Sequence, residues 1–181
     1  MRKDQGAVEY TVSIILLMIS VLLILFCFRI RSSRVEKRYL EDAQATANLA
    51  AAVIDTDIYG ETEELVISDT REAYERFQRA LKNNLKLNDD FMPSDTFLME
   101  NAVKILEFHI YNVKEDGITH VVYDEQGSES TYVLGLSGVT TPDGTDVEST
   151  TVYSKIEFDV KGFLSQRNRL TLENSVDIVK N

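Results

Sequence analysis

An uninterrupted apolar run near the N-terminus constrains this 181-residue chain more than any other feature of its sequence. From Tyr10 to Phe28 the chain has no charged residue, no proline and no glycine. A helix over these residues, at about 1.5 Å per residue, is roughly 28 Å long, close to the hydrocarbon thickness of a bilayer. A core helix of a water-soluble protein would carry a polar stripe, and this run has none. The sequence therefore predicts a transmembrane helix over residues 10–30.

Two alternatives treat this run as a processed signal. The run exceeds the usual apolar region of a secretory signal peptide, about 7–15 residues, and a cut after Ser32 would place the large Ile30 at position −3. Lipoprotein processing at Cys27 requires a small preceding residue, and Phe26 stands there. A permanent anchor is favoured over both. Cys27 is interpreted as a packing residue in the membrane, with palmitoylation or an intermembrane disulfide as the alternatives.

Charge divides the chain at residue 34. Residues 1–34 carry five basic and two acidic side chains, net +3, and residues 35–181 carry 14 basic and 28 acidic side chains, net −14. An acidic body repels phosphate, which argues against a nucleic-acid partner. The hydrophobic content of 44% argues against wholesale disorder, and the body is long enough for one domain with its own core. A single cysteine excludes an intrachain disulfide framework and a cysteine-cluster metal site.

The residues before the apolar run form a more specific pattern. Two basic residues precede Gly6, and the pair Glu9–Tyr10 opens the run. A carboxylate at the edge of a transmembrane helix indicates either a functional role or a solvated acid favoured by the helix dipole. The basic residues, the glycine, the Glu-Tyr pair and the apolar helix together resemble the type IV prepilin signal. The resemblance is strongest to the Tad/Flp branch with its TadE-like pseudopilins.

This resemblance, which covers about the first 30 residues, implies a set of roles. In that family a membrane prepilin peptidase cuts after the glycine, and the mature helix anchors the subunit until it assembles with other pilin or pseudopilin subunits. By resemblance, residues 1–9 are a leader-like segment, Gly6 precedes the cut and Ala7 becomes the N-terminus. Glu9 helps docking by pairing with a neighbour's amine, with Tyr10 as its partner in the motif. Glu9 stands third after Gly6, whereas the family's glutamate usually stands fifth, so an uncut leader or a shifted register stays open.

Orientation in the membrane is contested by two signals. The positive-inside rule alone would keep the body in the cytoplasm, because five basic residues follow the helix: Arg29, Arg31, Arg34, Lys37 and Arg38. The resemblance implies the opposite, a body outside the cytoplasm, and basic residues there can also bind anionic headgroups. We expect a single-pass protein of the cell membrane, or of a pilus, with its C-terminal domain extracytoplasmic.

Residues 31–54 continue the helix as an amphipathic extension. No glycine or proline occurs between Gly6 and Gly60, so one helix is predicted from about residue 6 to 53. The small residues from Ala43 to Ala52 favour close packing against a sheet. The predicted apolar stripe consists of Val35, Tyr39, Leu40, Ala43, Ala47, Ala50 and Ile54.

An acidic segment over residues 55–64 opens the predicted extracytoplasmic domain, residues 55–181. Asp55, Asp57 and Gly60 match positions of a calcium-binding EF-hand loop, but Tyr59 and Val66 stand where oxygen ligands are required. A solvated loop past a helix end is therefore favoured over a calcium site.

The sequence of the rest of the domain predicts helices followed by an antiparallel sheet. Asp69 and Glu72 form a capping pair for a helix over 70–85, whose stripe is Tyr74, Phe77, Leu81 and Leu85. A short helix capped by Ser94 is predicted over 94–102. From about residue 103 the period changes to two, with Leu106, Phe108 and Ile110 on one face of the first strand. The remaining strands are predicted at 118–123, 131–136, 152–161 and 169–178, separated by turns at 116–117, 125–128 and 141–144. The predicted fold class is α+β and pilin-like, with the helices covering one side of the sheet.

Residues with catalytic potential are few. His109 and His120 fall in neighbouring predicted strands and, with a carboxylate, could bind zinc, although histidines on a sheet surface are favoured. Gly135–Gly138 does not fit GxSxG, and no P-loop or GxGxxG occurs. We therefore predict no enzyme activity, no cofactor, no metal and no small-molecule substrate. An anchored hydrolase that depends on the two histidines is the third interpretation.

The sequence favours a single-pass pseudopilin or minor pilin-like subunit of a Tad/Flp-type pilus or related secretion system, acting by assembly. Its body is larger than that of the short Flp major pilins, which favours a minor or pseudopilin role. The alternative is a membrane-anchored extracytoplasmic sensor or adaptor domain that binds a protein or ligand.

Overall fold

The chain divides into two compact units, residues 1–39 and residues 40–181, and the first helix contributes residues to both of them. A computed structural model describes residues 3–94, 99–161 and 167–180. Helix α1 (Lys3–Ala51) is slightly longer at its start than predicted and ends two residues earlier. It contains Gly6 without a break, because one glycine lowers helix stability by only about 1 kcal/mol.

Two further helices follow α1. Helix α2 (Thr56–Thr62) replaces the predicted acidic loop. The backbone N–H groups of Asp57 and Ile58 donate to Oδ1 of Asp55 at 3.0 and 3.2 Å, so this carboxylate caps a helix. Helix α3 (Thr70–Leu85) confirms the prediction, including the cap, where the N–H of Glu72 donates to Asp69 at 2.7 Å.

The predicted helix over 94–102 is wrong for its second half. Residues 99–102 are not helical, and Met99 instead forms a β-bridge with Val160. Residues 95–98 lie outside the described residues. The periodicity over this short segment was too weak to distinguish a helix from an extended connection that pairs with a distant strand.

Five antiparallel strands form one sheet. They are β1 (Lys104–Lys114), β2 (Gly117–Tyr123), β3 (Glu129–Leu134), β4 (Thr150–Lys161) and β5 (Arg167–Ile178). Their order across the sheet is β3-β2-β1-β4-β5, so β1 is central. The predicted α+β class and antiparallel strands are confirmed, with strand ends that differ by a few residues. Gly117 begins β2 where an added Cβ would lie 3.0 Å from the carbonyl oxygen of Leu134.

A β-bulge in β1 changes which residues face the helices. The register to β4 shifts between Ile105 and Glu107. Ile105 therefore joins Phe108 and Ile110 in the core, while Leu106 is only half-buried. The strict alternation that placed Leu106 in the core is wrong here, because one extra residue reverses the facing of the preceding side chains.

The main core lies between one sheet face and the helices, as predicted. Phe77 of α3 packs on Phe108 of β1 with ring centroids 4.9 Å apart, and Tyr74 stacks on Tyr123 at 4.5 Å. The other face is also partly covered, which the expectation of a single covered side missed. There a smaller cluster forms beneath the loop over residues 135–149, with Tyr111, Ile118, Val147 and Tyr153 buried.

The end of α1 belongs to the second unit. Leu40, Ala43, Ala47 and Ala51 are buried, which confirms the close packing of the alanine face. The predicted stripe is wrong at its start, because Val35 is 62% exposed and Tyr39 is 41% exposed. The other two predicted members, Ala50 and Ile54, are half-buried. The domain core thus starts at Leu40, earlier than the predicted boundary at residue 55.

Two amide side chains complete the buried face of α1. Gln44 and Asn48 are fully buried. The Gln44 Nε2 donates to the carbonyl oxygen of Ser154 in β4 at 2.9 Å, and the Asn48 Nδ2 donates to the carbonyl oxygen of Asn174 in β5 at 2.9 Å. These bonds fix the position and rotation of this helical segment on β4 and β5, because a slipped helix would leave the buried N–H donors unpaired, as Oε1 of Gln44 and Oδ1 of Asn48 already are among the described residues.

Candidate functional site

The apolar segment of α1 is not buried within the described chain. From Tyr10 to Phe28 the helix is long and apolar enough to cross a membrane, and none of these residues is buried. It is the only such helix among the described residues. An isolated apolar helix in water would expose this whole surface, whereas lipid solvates it and the helix satisfies its own backbone. The structure is therefore consistent with single-pass membrane anchoring.

The residues of the prepilin-like motif lie in the first turns of α1. Gly6, Ala7 and Glu9 have helical backbone, and their side chains are outside the described part. Tyr10 is the first residue of the apolar segment, and its side chain is 73% exposed. Glu9 thus directly precedes the apolar segment in sequence.

A polar side chain inside the apolar segment is satisfied by the helix itself. The Ser20 hydroxyl donates to the carbonyl oxygen of Leu16 at 2.9 Å. Such a back-bond hides the hydroxyl from lipid. Cys27, near the end of the segment, is exposed and free.

The second candidate site is the histidine pair, His109 of β1 and His120 of β2, on the sheet face opposite the helices. Nδ1 of His109 lies 3.2 Å from Nε2 of His120. The expectation that neighbouring strands bring these residues face to face is confirmed. The Tyr111 hydroxyl also lies 3.2 Å from Nδ1 of His109, so three polar atoms converge.

Aromatic rings hold the histidine pair in place. Tyr111 stands opposite His120 in the strand register, and the two rings stack with centroids 4.1 Å apart and planes 7° apart. The Tyr153 ring of β4 contacts His109 edge-on at 5.1 Å. The rotations of both imidazoles are therefore restricted by packing.

Both histidines are neutral at pH 7. Burial lowers the pKa of His109 to about 4. Burial, together with the neighbouring His109, lowers the pKa of His120 to about 4. Burial and the negative charge of Asp143 raise the pKa of Tyr111 to about 12, so the phenol also stays neutral.

Two buried atoms beside the pair have no hydrogen-bond partner among the described residues, namely Nε2 of His109 and the hydroxyl of Tyr153. The Glu107 carboxylate is 3.4 Å from that Nε2 without hydrogen-bond geometry. No group of three or more His, Cys, Asp or Glu side chains suited to a metal ion occurs in the described part of the chain. Sequence reasoning found the histidines but did not include Tyr111 and Glu107 in the site, although the period-two alternation of β1 places both on the face of His109.

A cleft of about 460 Å³ lies at one end of the sheet. Its lining combines apolar and hydroxyl side chains with four glutamates and two lysines, namely Glu63, Glu64, Glu115, Glu148, Lys114 and Lys180. Lys180 pairs with Glu63 at 3.5 Å. The lining contains carboxylates, amines and hydroxyls in solvated surroundings, the composition of a charged surface depression.

Comparison of the chain with protein-family models, with curated proteins and with solved structures finds no match in any of the three. The fold and the two sites define a class of protein: an α+β domain with an antiparallel sheet, preceded by a helix that is long and apolar enough to span a membrane.

Proposed function

We propose that this chain is a membrane-anchored pseudopilin or minor pilin-like subunit of a Tad/Flp-type pilus or related secretion system. The observation that carries the proposal is the make-up of α1. The prepilin-like residues Gly6 to Tyr10 lead directly into an apolar segment that the rest of the described chain leaves uncovered. A helix of this kind serves both as an anchor in lipid and as a surface for packing on identical helices.

The mechanism is assembly without chemistry. Lipid covers the apolar segment while the subunit waits in the membrane, and the helices of other subunits replace that lipid on assembly. Glu9 sets the register, because a carboxylate left unpaired among packed apolar helices is strongly penalised. The acidic domain lies outside the cytoplasm and contacts solvent or partner subunits.

Processing by a prepilin peptidase is tested by sequencing the N-terminus of the membrane protein. In cells with the active peptidase we expect an N-terminus at Ala7, and in cells without it an N-terminus at Met1. Gly6→Phe should block the cut because the glycine is the family's recognition residue. An intact Met1 in cells with active peptidase would sink the processing claim.

Assembly through Glu9 is tested with a matched pair of variants. Glu9→Gln removes the charge at nearly constant size, and Glu9→Asp keeps it. We expect Glu9→Gln to remain in the membrane but to lose crosslinks to partner subunits, and Glu9→Asp to keep most of them. Equal crosslinking of Glu9→Gln and wild type would show that the charge has no role in assembly.

The alternative, a membrane-anchored sensor or adaptor, is favoured by the histidine pair. A converging set of polar atoms on the sheet face is not needed for assembly through α1. Under this alternative the leader stays uncut and α1 is a permanent anchor. The N-terminal sequence therefore distinguishes the two proposals.

A further inference from the structure

We propose that the histidine pair binds one divalent transition-metal ion of the kind that prefers imidazole nitrogen, such as Zn²⁺ or Cu²⁺. His109 supplies Nδ1 and His120 supplies Nε2. This inference concerns the sheet face alone, so it stands or falls separately from the role of α1 in assembly.

The spacing of the two nitrogens fits a shared ion. Two imidazole nitrogens that each lie about 2.0–2.1 Å from one tetrahedral ion are about 3.3 Å apart. The observed separation between Nδ1 of His109 and Nε2 of His120 is 3.2 Å. The separation therefore fits two ligands of one ion, and binding requires each ring to turn within its packed surroundings until its lone pair points at the ion and not at the other nitrogen.

The hydrogen shared by the two facing nitrogens need not block an ion. When one of the two facing nitrogens carries a hydrogen, it can donate that hydrogen to the other across 3.2 Å. A shift of that hydrogen to the opposite nitrogen of the same neutral ring frees both facing lone pairs.

Glu107 occupies the position of an outer partner. Its carboxylate lies 3.4 Å from Nε2 of His109, the nitrogen that points away from His120. A metal-binding histidine usually donates its second N–H to a carboxylate, which fixes the tautomer and makes the ligand more basic. This pairing assigns the hydrogen of His109 to Nε2, where it lacks a well-aligned acceptor in the present arrangement.

The remaining coordination positions are open. The Tyr111 hydroxyl lies 3.2 Å from Nδ1 of His109, but the Tyr111 ring stacks parallel on His120, so an ion in the plane of the His120 ring is out of reach of that hydroxyl. Water fills the rest, since His120 is only half-buried and gives access from solvent. Two imidazoles bind Cu²⁺ more tightly than Zn²⁺, and they discriminate against Ca²⁺ and Mg²⁺, which prefer oxygen ligands.

The test is calorimetric titration of the tag-free, metal-free full chain in detergent with Zn²⁺, Cu²⁺ and Ca²⁺. We expect one Zn²⁺ or Cu²⁺ per chain with a dissociation constant in the micromolar range, and no heat with Ca²⁺. His120→Gln should weaken Zn²⁺ binding at least about tenfold, whereas Tyr132→Phe, on the neighbouring strand, should leave it unchanged. Because His109 is buried and its substitution would also disturb packing, His120 carries the test, with circular dichroism confirming that His120→Gln is folded.

A second measurement uses the fact that the chain has two histidines. Imidazole nitrogen NMR should show the ring of His120 with its hydrogen on Nδ1 after Zn²⁺ is added. Equal Zn²⁺ affinity of wild type and folded His120→Gln would overturn the proposal. Absence of Zn²⁺ and Cu²⁺ binding by the folded wild-type chain would overturn it as well.

Discussion

The two parts of α1 differ in a way that hydropathy alone does not suggest. Residues 10–28 are the most apolar segment of the chain, and none of them is buried. Residues 40–51 include two amides and are buried along one face. The described chain leaves the apolar part unburied, whereas the mixed part packs closely and donates hydrogen bonds to β4 and β5. In this helix the most apolar part is thus the part that stays unburied, whereas small residues together with amides that donate to the sheet line the packed part.

The largest effect is expected from charges placed in the apolar part of α1, because they oppose insertion into a membrane. Leu17→Arg with Leu22→Arg adds two arginines near the middle of the segment, each costing about 2.5–3.5 kcal/mol of membrane insertion. We expect the protein to move from the carbonate-resistant membrane pellet to the supernatant. Leu17→Ile with Leu22→Ile is the control and should stay in the pellet. Retention of the double arginine variant in the pellet would contradict the membrane assignment.

A core substitution in the domain should change the stability of the fold, whereas the arginines in the apolar part change membrane insertion. Phe108 is fully buried between α3 and the sheet, so Phe108→Ala should lower the free energy of unfolding by about 3–5 kcal/mol. Val133→Ala, at a residue 83% exposed, should change it by less than about 0.5 kcal/mol. Denaturant unfolding followed by the domain's circular dichroism checks both. Similar losses in the two variants would show that Phe108 is not a core residue.

The packed part of α1 is tested by removing one buried amide. Gln44→Ala deletes donors to Ser154 and should destabilise the domain by about 1–3 kcal/mol. Leu49→Ala shortens an apolar side chain on the exposed side of the same helix. It should lower the free energy of unfolding by less than Gln44→Ala does. If Leu49→Ala is the more damaging substitution in unfolding experiments, the packed face has been assigned to the wrong side of the helix.

The smallest expected effect concerns the start of α3. Asp69→Ala removes the acceptor for the N–H of Glu72 and should cost about 1 kcal/mol of domain stability. Asp69→Asn keeps an acceptor and should recover most of that loss. Thermal unfolding of both variants checks this, and equal melting temperatures for the two would argue against a capping role.

Local patterns were sufficient to predict much of the domain. The cap at Asp69 and the spacing of Tyr74, Phe77 and Leu81 define α3 within one segment of sequence, and α3 has the predicted bounds. The alternating strands were predicted for the same reason. Helix α2 was missed because a single capping residue, Asp55, starts a helix too short to show periodicity.

Features that depend on distant contacts were not predictable. The bulge that turns Ile105 into the core arises from pairing with β4, which no local alternation encodes. Gln44 was overlooked because a stripe counted only in apolar residues excludes an amide, and its partners lie 110 and 128 residues away. The histidines were expected to face each other, but the approach of Nδ1 to Nε2 depends on side-chain torsions set by the surrounding rings.

The central claim is that residues 10–28 cross a membrane and hold the domain outside the cytoplasm. The most direct measurement is labelling with a membrane-impermeant maleimide of Val133→Cys in a Cys27→Ser background. We expect labelling in intact spheroplasts, with a cytoplasmic cysteine protein in the same cells labelled only after lysis. Labelling of the Val133→Cys variant only after lysis would place the domain in the cytoplasm and contradict the account.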